Sequence, residues 1–501
     1  MKTQGDTKRP RSVKAEFDPD FCATSHGGAV LAEKALRGLG LRRTVERQLP
    51  TRAALAKFSM ADAVHALCAG LLVGGRGIGA TEALRDDALL TELFGLGRGA
   101  PSDSTVYRVL CELSGLHERK VEDCYVAAGS GLAALDMFGA ERREPKRRRV
   151  VPEAPEAAGE SERQALDRFT SSVAVSCIGA LARGMVRLHG WYVGFGDATD
   201  LEVEGNCFDA ARMGREGTKL LRWQTLMLGP ILIAEQLHEG NVDEGRSMPR
   251  LLAQARETIR RALGPLARVL LLLDGAYFEK QVLDALVWDF IVCANQQRDC
   301  LRRLAEERAA WEWQETGADA GRGWSRSEVS CFTHLPDGWE RPVTIVARRW
   351  QKADEIAGAW HYAFLATRIE PEALPKKLVR KHGYCSAIWM LYGTKQGRED
   401  HYKTPLRDLG LHHPPSCRLG VNQAFYALAT AASNIAMVLR YRVVAKPERG
   451  ISLWRLRQRY FQIPAYLVQT ARRLTVRLAG ANVAARRQVL WRAAFAAASR
   501  L

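Results

Sequence analysis

The sequence predicts an α/β protein: a mixed sheet in the middle of the chain, with helices before and after it. Three observations carry this reading. First, apolar residues recur at helical spacing through Ala29–Leu39 and Met60–Leu72, the signature of amphipathic helices. Second, strand-like runs begin at Trp191 with WYVGFGDATDLEV and RWQTLMLGPILIAEQLH. A helix over Asp243–Leu263, the continuous apolar run RVLLLLD (Arg268–Asp274), a helix in FEKQVLDALVWD and the strand FIVCAN (Phe290–Asn295) follow. A run without polar alternation is a strand buried on both faces, and strands alternating with helices build a sheet with parallel neighbours. Third, about ninety residues follow with alternating, aromatic-rich segments such as RPVTIVARRW and WHYAFLATRI. These read as antiparallel strands inserted before helices resume near Ile388.

Four regions are expected. Residues 1–140 form a helical DNA-binding domain. Within it PSDSTVYRVLCEL (Pro101–Leu113) opens on the capping residues Ser102 and Ser104, after the Gly-rich Gly95–Gly99. With Tyr107 and Arg108 near its start it suits a helix-turn-helix element, and equally a surface helix of a small bundle. GGRGIGA (Gly74–Ala80) lacks the Gly-Lys-Ser/Thr ending of a phosphate loop and reads as a turn. Residues 141–165 form a flexible linker rich in charge and proline; its Lys146, Arg147, Arg148 and Arg149 suit an arm that follows a phosphate backbone. Residues 166–440 form the core, with the β-rich insertion at about 297–385, and residues 441–501 a basic helical tail.

Composition narrows the partners. The 501 residues are 47% hydrophobic and 26% charged, which excludes a mostly disordered or fibrous protein. Lys and Arg number 73 against 56 Asp and Glu, a net +17. Such a charge concentrates polyanions by long-range steering, so nucleic acid leads and an anionic membrane surface comes second. The longest apolar stretch, the sixteen residues Ala424–Leu439, carries Asn434 and falls short of a membrane span. MKTQGDTKRPRSVKAEF has no apolar core for a signal peptide, and eleven cysteines without a CxxC pair fit a reducing cytoplasm.

Two aspartates stand where strands are expected to end. Asp197 lies in FGDATD and Asp274 directly follows LLLL. Carboxylates at strand ends face the ligand crevice of an α/β sheet, although each alone is as readily a helix cap. A third acid lies in IWMLYGTKQGREDHYKTPLR (Ile388–Arg407), where Tyr392, Lys395, Glu399 and Lys403 are spaced by three, four and four. On a helix these make one stripe. Gly393 and Gly397 weaken such a helix by about 1 kcal/mol each, so stability alone does not explain it. Two aspartates and a glutamate can hold two Mg²⁺ ions, which prefer oxygen ligands and keep waters. A pair of such ions stabilises the attacking and leaving oxygens of an in-line displacement at phosphorus. Lys395 and Lys403 then grip phosphates, and Tyr392 stacks or hydrogen-bonds near the terminal nucleotide.

Taken in order, DATD, LLLLDGAYF, YGTKQGREDHYK and NQAFYALATAASNI (Asn422–Ile435) resemble the DDE transposases of bacterial insertion sequences. The resemblance is to the cut-and-paste branch with a Tyr-Arg-Glu-Lys signature and a β-strand insertion before the glutamate. It implies an RNase H-like core, with Asp197, Asp274 and Glu399 as the catalytic, metal-binding acids. The signature Tyr falls on Tyr392. Its Arg position holds Lys395, which keeps the charge and loses the bidentate fork. The distal Lys falls on Lys403, or near Arg407 by a second spacing, and Arg398 beside Glu399 joins the DNA contacts. Asp200 rivals Asp197, which directly precedes Ala-Thr as in the family motif. The resemblance further implies Mg²⁺, with Mn²⁺ as substitute, cleavage at terminal inverted repeats and joining of the 3′-OH to target DNA. The partners it implies are double-stranded DNA and a second copy in a synaptic homodimer, at the bacterial nucleoid. The alternatives are a catalytically silent DNA-binding descendant and a Mg²⁺-dependent nuclease without joining. Tryptophans 311, 313, 324, 339 and 350 of the insertion suit a core, or stacking on a flipped base.

Overall fold

The computed structural model describes residues 23–116, 125–127, 147–149, 156–181, 187–204, 208–214, 217–242, 244–294, 297–317, 322–355, 359–396, 401, 404–470, 473–480 and 483–501. Helices Val30–Gly38 (α1), Leu41–Gln48 (α2), Met60–Val73 (α3) and Asp103–Ser114 (α4) open it. Ser59 caps α3 by accepting the Asp62 amide, and Ser102 caps α4 by accepting the Thr105 amide. These helices share one continuous apolar core with the rest of the chain, because α3 and α4 pack on the helix Leu419–Val438. The expected linker is partly structured: Arg147–Arg149 pairs antiparallel with Tyr125–Ala127, and helix Glu160–Ala180 (α5) begins inside it. Lys146 lies outside the described residues.

The sheet follows the apolar patterning. Strand Trp191–Glu202 (β1) pairs antiparallel with Lys219–Leu228 (β2), which turns at Gly229-Pro230 into Ile231–Glu239 (β3). Gly229 adopts φ +56°, which an L side chain resists and a tight hairpin requires. After helix Glu244–Leu263 (α6), strand Val269–Leu273 (β4) returns parallel to β1, and Asp289–Cys293 (β5) lies parallel to β4. The order is thus 3-2-1-4-5, with β2 reversed. A large mixed sheet of this kind is consistent with the RNase H-like core that the resemblance implies. Asn434, buried in Leu419–Val438, accepts the Leu232 amide and donates to its carbonyl, both at 2.8 Å, beside the register shift in the β2–β3 hairpin.

The β-rich insertion extends this same sheet. Strands Trp324–His334 (β6), Val343–Lys352 (β7) and His361–Thr367 (β8) form an antiparallel meander, and β8 joins β5 through Leu365, Ala366 and Thr367. Helices resume at Lys376–His382, earlier than expected, followed by Tyr384–Gly393 (α7) and Leu419–Val438 (α8).

The expected all-helical tail is corrected by a hairpin. Ala465–Thr470 pairs with Arg473–Leu478 before the last helix, Ala485–Ala498 (α9). RLTVRL alternates with period two, a strand pattern that the abundance of arginine obscures. Thr24 bridges to Ala465, and Gly28 passes so close to Tyr460 that a Cβ would lie 1.8 Å from its carbonyl oxygen. The two ends of the described chain are therefore packed together.

Two titratable side chains of β3, the buried Glu235 and the partly buried His238, set opposing pH dependences. Glu235 accepts the Trp223 indole N–H at 2.9 Å, and burial pushes its carboxyl up to about 8. Burial, followed by Arg163, Arg250 and Arg222, lowers the His238 imidazole to about 4. Folded Glu235 keeps a proton that the unfolded chain releases, so stability falls as pH rises from about 4.5 to 8. Folded His238 refuses a proton that the unfolded chain takes, so stability rises with pH from about 4 to 6.5. The two oppose each other below pH 6.5, and of the two only Glu235 acts above it. Unfolding free energies from urea titrations are expected to fall between pH 6.5 and 8, by up to about 1.4 kcal/mol per pH unit. Glu235→Gln should abolish the fall; an identical fall in that variant would assign it to another group.

Candidate active site

Asp197 does not end its strand. β1 runs on to Glu202, paired to β2, with Asp197 opposite Thr225. What ends there is the parallel neighbour, since the last β1–β4 pair is Phe195 with Leu272. Asp197 lies two residues beyond Phe195, and Asp274 two beyond Leu272. The two carboxylates thus follow neighbouring strands at the same offset from the last pair, and both act on the Tyr392 phenol. Packing is close at Gly196: a Cβ there would meet the Leu273 side chain at 2.9 Å and Met248 of α6 at 3.2 Å.

Asp197 is partly buried, and its Oδ1 accepts the Ala198 amide at 3.0 Å. Asp274 opens a short turn, Gly275–Tyr277, with its side chain 56% exposed. Asp200 is three residues from Asp197 on one strand, so it projects from the opposite face. There Arg222 holds it through two bonds of 2.8 and 3.2 Å.

Helix α7 lies along this site. Tyr384 donates its hydroxyl to the Ile369 carbonyl at 2.7 Å near one end, and Tyr392 donates to the Leu273 carbonyl at 3.2 Å near the other. Burial, then Cys293, Asp274 and Asp197, push the Tyr392 phenol well above its usual range, so it stays a donor. The helix stops at Gly393, and the Lys395 amide closes a turn on the Tyr392 carbonyl at 2.9 Å. The continuous stripe expected from Tyr392 to Lys403 is therefore interrupted before Lys395. The Lys395 ammonium instead reaches Asp274 Oδ1 at 3.1 Å.

Arg398, Glu399 and Lys403 lie outside the described residues. His401, two residues beyond Glu399, stacks on Phe195 with centroids 6.5 Å apart and an interplanar angle of 10°. That contact returns the chain to β1 two residues before Asp197. His401 and Phe195 were missed in the sequence, where only their nearness to the acids marked them.

The remaining expected DNA contacts are dispersed. Arg407 occupies the turn Thr404–Asp408 with its side chain 69% exposed. Arg108 of α4 is exposed. Tyr107 is half-buried, and burial raises its phenol despite a hydrogen bond with Arg418, so it faces the interior. Among the insertion tryptophans, Trp313 is buried, Trp339 packs on Phe278 and Trp311 is exposed. Trp324 stacks on Trp350 at 5.0 Å. Among the described residues no three His, Cys, Asp or Glu side chains converge. Asp197 and Asp274 offer oxygen donors, and a side-chain cation already sits on one of them. That donor set suits a hard divalent ion.

The family described as Transposase DDE domain group 1 matches residues 227–498. The span includes Asp274, Tyr392, Lys395 and Glu399, reaches through the tail hairpin and α9, and starts beyond Asp197. One solved structure, a cryo-EM structure of the piggyBac transposase synaptic complex with hairpin DNA, is 10% identical. Their alignment covers 86% of this chain and 76% of that one, with a TM-score of 0.39. No curated protein matches the chain.

Proposed function

The chain belongs to the DDE transposases of group 1, and on that premise we propose a cut-and-paste enzyme acting at transposon ends. It binds terminal inverted repeats, hydrolyses the phosphodiester at each end and joins the freed 3′-OH to target DNA. The observation that carries this reading is that β4 ends beside β1 with Phe195 opposite Leu272, so that Asp197 and Asp274 each follow the last paired residue by two positions.

In this reading residues 166–440 are an RNase H-like catalytic core, and the helices of 1–140 with the basic segment 141–165 recognise DNA. Asp197, Asp274 and Glu399 hold Mg²⁺, or Mn²⁺ in its place. Bound divalent ions supply charge stabilisation for the attacking and leaving oxygens at phosphorus. Tyr392, pinned to the Leu273 carbonyl, keeps α7 against the acids and presents its ring beside them. Lys395, Arg398, Lys403 and Arg407 hold phosphates on either side of the break. The active assembly is a synaptic homodimer on two ends.

The test is a labelled duplex carrying the flanking inverted repeat, incubated with Mg²⁺ or with EDTA beside a supercoiled plasmid. Nicking at the repeat end that needs Mg²⁺, followed by joining to the plasmid, is the expected result. Cutting without joining would make the protein a nuclease. Binding without any cut would make it a DNA-binding descendant.

A further inference from the structure

Lys395 is held over Asp274 by the backbone around it. α7 ends at Gly393, the Lys395 amide is fixed on the Tyr392 carbonyl, and Tyr392 is itself fixed on the residue before Asp274. The Lys395 side chain is 17% exposed, against 56% for its partner carboxylate. The lysine is thus the sheltered member of the pair, screened little by water on its own side. The Asp274 carboxylate it contacts is a donor that a hard divalent ion would use. Two cations on one carboxylate repel each other, so each weakens the other's binding there. A lysine is a point charge on a flexible stem, and a DNA phosphate brought beside the acids offers its ammonium a second anion.

We infer that Lys395 and the divalent ion compete for Asp274, and that DNA relieves the competition by taking the ammonium onto a backbone phosphate. Lys395 is then the residue that couples DNA binding to metal loading. Without DNA the site holds metal weakly. Thermodynamic reciprocity requires that metal strengthen DNA binding by the same factor. The inference rests on the reading of Asp197 and Asp274 as metal ligands.

The test titrates the full chain with Mn²⁺, counting free ion by its electron paramagnetic resonance signal, with and without a terminal-repeat duplex. In the wild type the duplex should lower the Mn²⁺ Kd. Lys395→Met should lower the DNA-free Kd about tenfold, the effect of removing one close unit charge from a partly exposed site. It should leave the DNA-bound Kd unchanged. Lys395→Arg, which retains the charge, should keep the weak DNA-free binding of the wild type. If Lys395→Met tightens Mn²⁺ equally with and without DNA, or in neither case, the inference is overturned. Asp274→Asn separates this failure from that of the underlying reading, because it should abolish Mn²⁺ binding in both conditions. If Asp274→Asn binds Mn²⁺ as the wild type does, the metal site itself is misplaced. If it loses Mn²⁺ while Lys395→Met shows no DNA-dependent change, the lysine coupling alone fails.

Discussion

Asp197→Asn is expected to lose end cleavage by about 10²–10³-fold or more while binding the inverted repeat as the wild type does, and Asp200→Asn is expected to cut normally. The magnitude is that of removing one preorganised charge-stabilising group from a phosphoryl-transfer site. The contrast follows from strand parity. Residues three apart on β1 project from opposite faces, and only Asp197 shares the offset of Asp274 from the last β1–β4 pair. Asp200 is occupied instead by Arg222, and its carboxylate is 46% exposed. Losing that pair costs no more than about 1 kcal/mol in stability, too little to reach the chemistry. Asp274→Asn should match Asp197→Asn in both readouts. A single-turnover assay on labelled duplex, beside gel-shift titration of the same duplex, measures both quantities. Loss of cleavage in Asp200→Asn with activity retained in Asp197→Asn would exchange the two aspartates and refute the register argument.

The parts of this site that could be read in the sequence are those fixed by short-range patterning. Val269–Leu273 is apolar at every position, which only a strand covered on both faces tolerates, so Asp274 was placed at its end. RWQTLMLGPILIAEQLH read as strand, and the structure divides it into the hairpin of β2 and β3. What patterning does not carry is pairing between distant segments. The insertion strands were recognised as strands, but their junction with the core depends on Leu365–Thr367 meeting Ile291–Cys293, and no local signal specifies that. The interruption of the Tyr392–Lys403 stripe is also tertiary. A spacing of three and four suits a helix, yet the helix stops at Gly393, with Tyr392 anchored on the Leu273 carbonyl and Lys395 on Asp274. Within residues 23–116 the start of the chain is helical, as its apolar spacing suggests. Its merging with α8 was not legible, because small apolar side chains such as those along α3 fit an independent bundle and a shared core equally well.

Arg457 shows how much of that shared core rests on one side chain absent from every motif. It is 7% exposed, and its guanidinium donates to three carbonyls: Leu72 at 2.8 Å, Leu71 at 2.6 Å and Asp408 at 3.0 Å. The first two belong to the last turn of α3, whose carbonyls have no partner within the helix. The third belongs to a residue whose carboxylate in turn accepts the Leu453 amide at 2.9 Å. Arg457 therefore joins the end of an N-terminal helix to the segments on either side of α8. Burial lowers its pKa to about 10, with Asp408 raising it and Arg76 lowering it, so it remains charged at neutral pH. Arg457→Met keeps much of the volume and strands three buried acceptors. Each hydrogen bond to a charged donor contributes about 1.5–3 kcal/mol, and relief from burying the charge offsets part of the loss. The expected net loss is about 3 kcal/mol, read as a lower urea midpoint of the full chain, with faster amide exchange in the last turn of α3. Arg457→Lys should recover only a minor part, because one ammonium cannot span the carbonyls that the planar fork reaches. A Met variant within about 1 kcal/mol of the wild type, with α3 still protected, would mean that apolar contacts alone hold the first helices to the core.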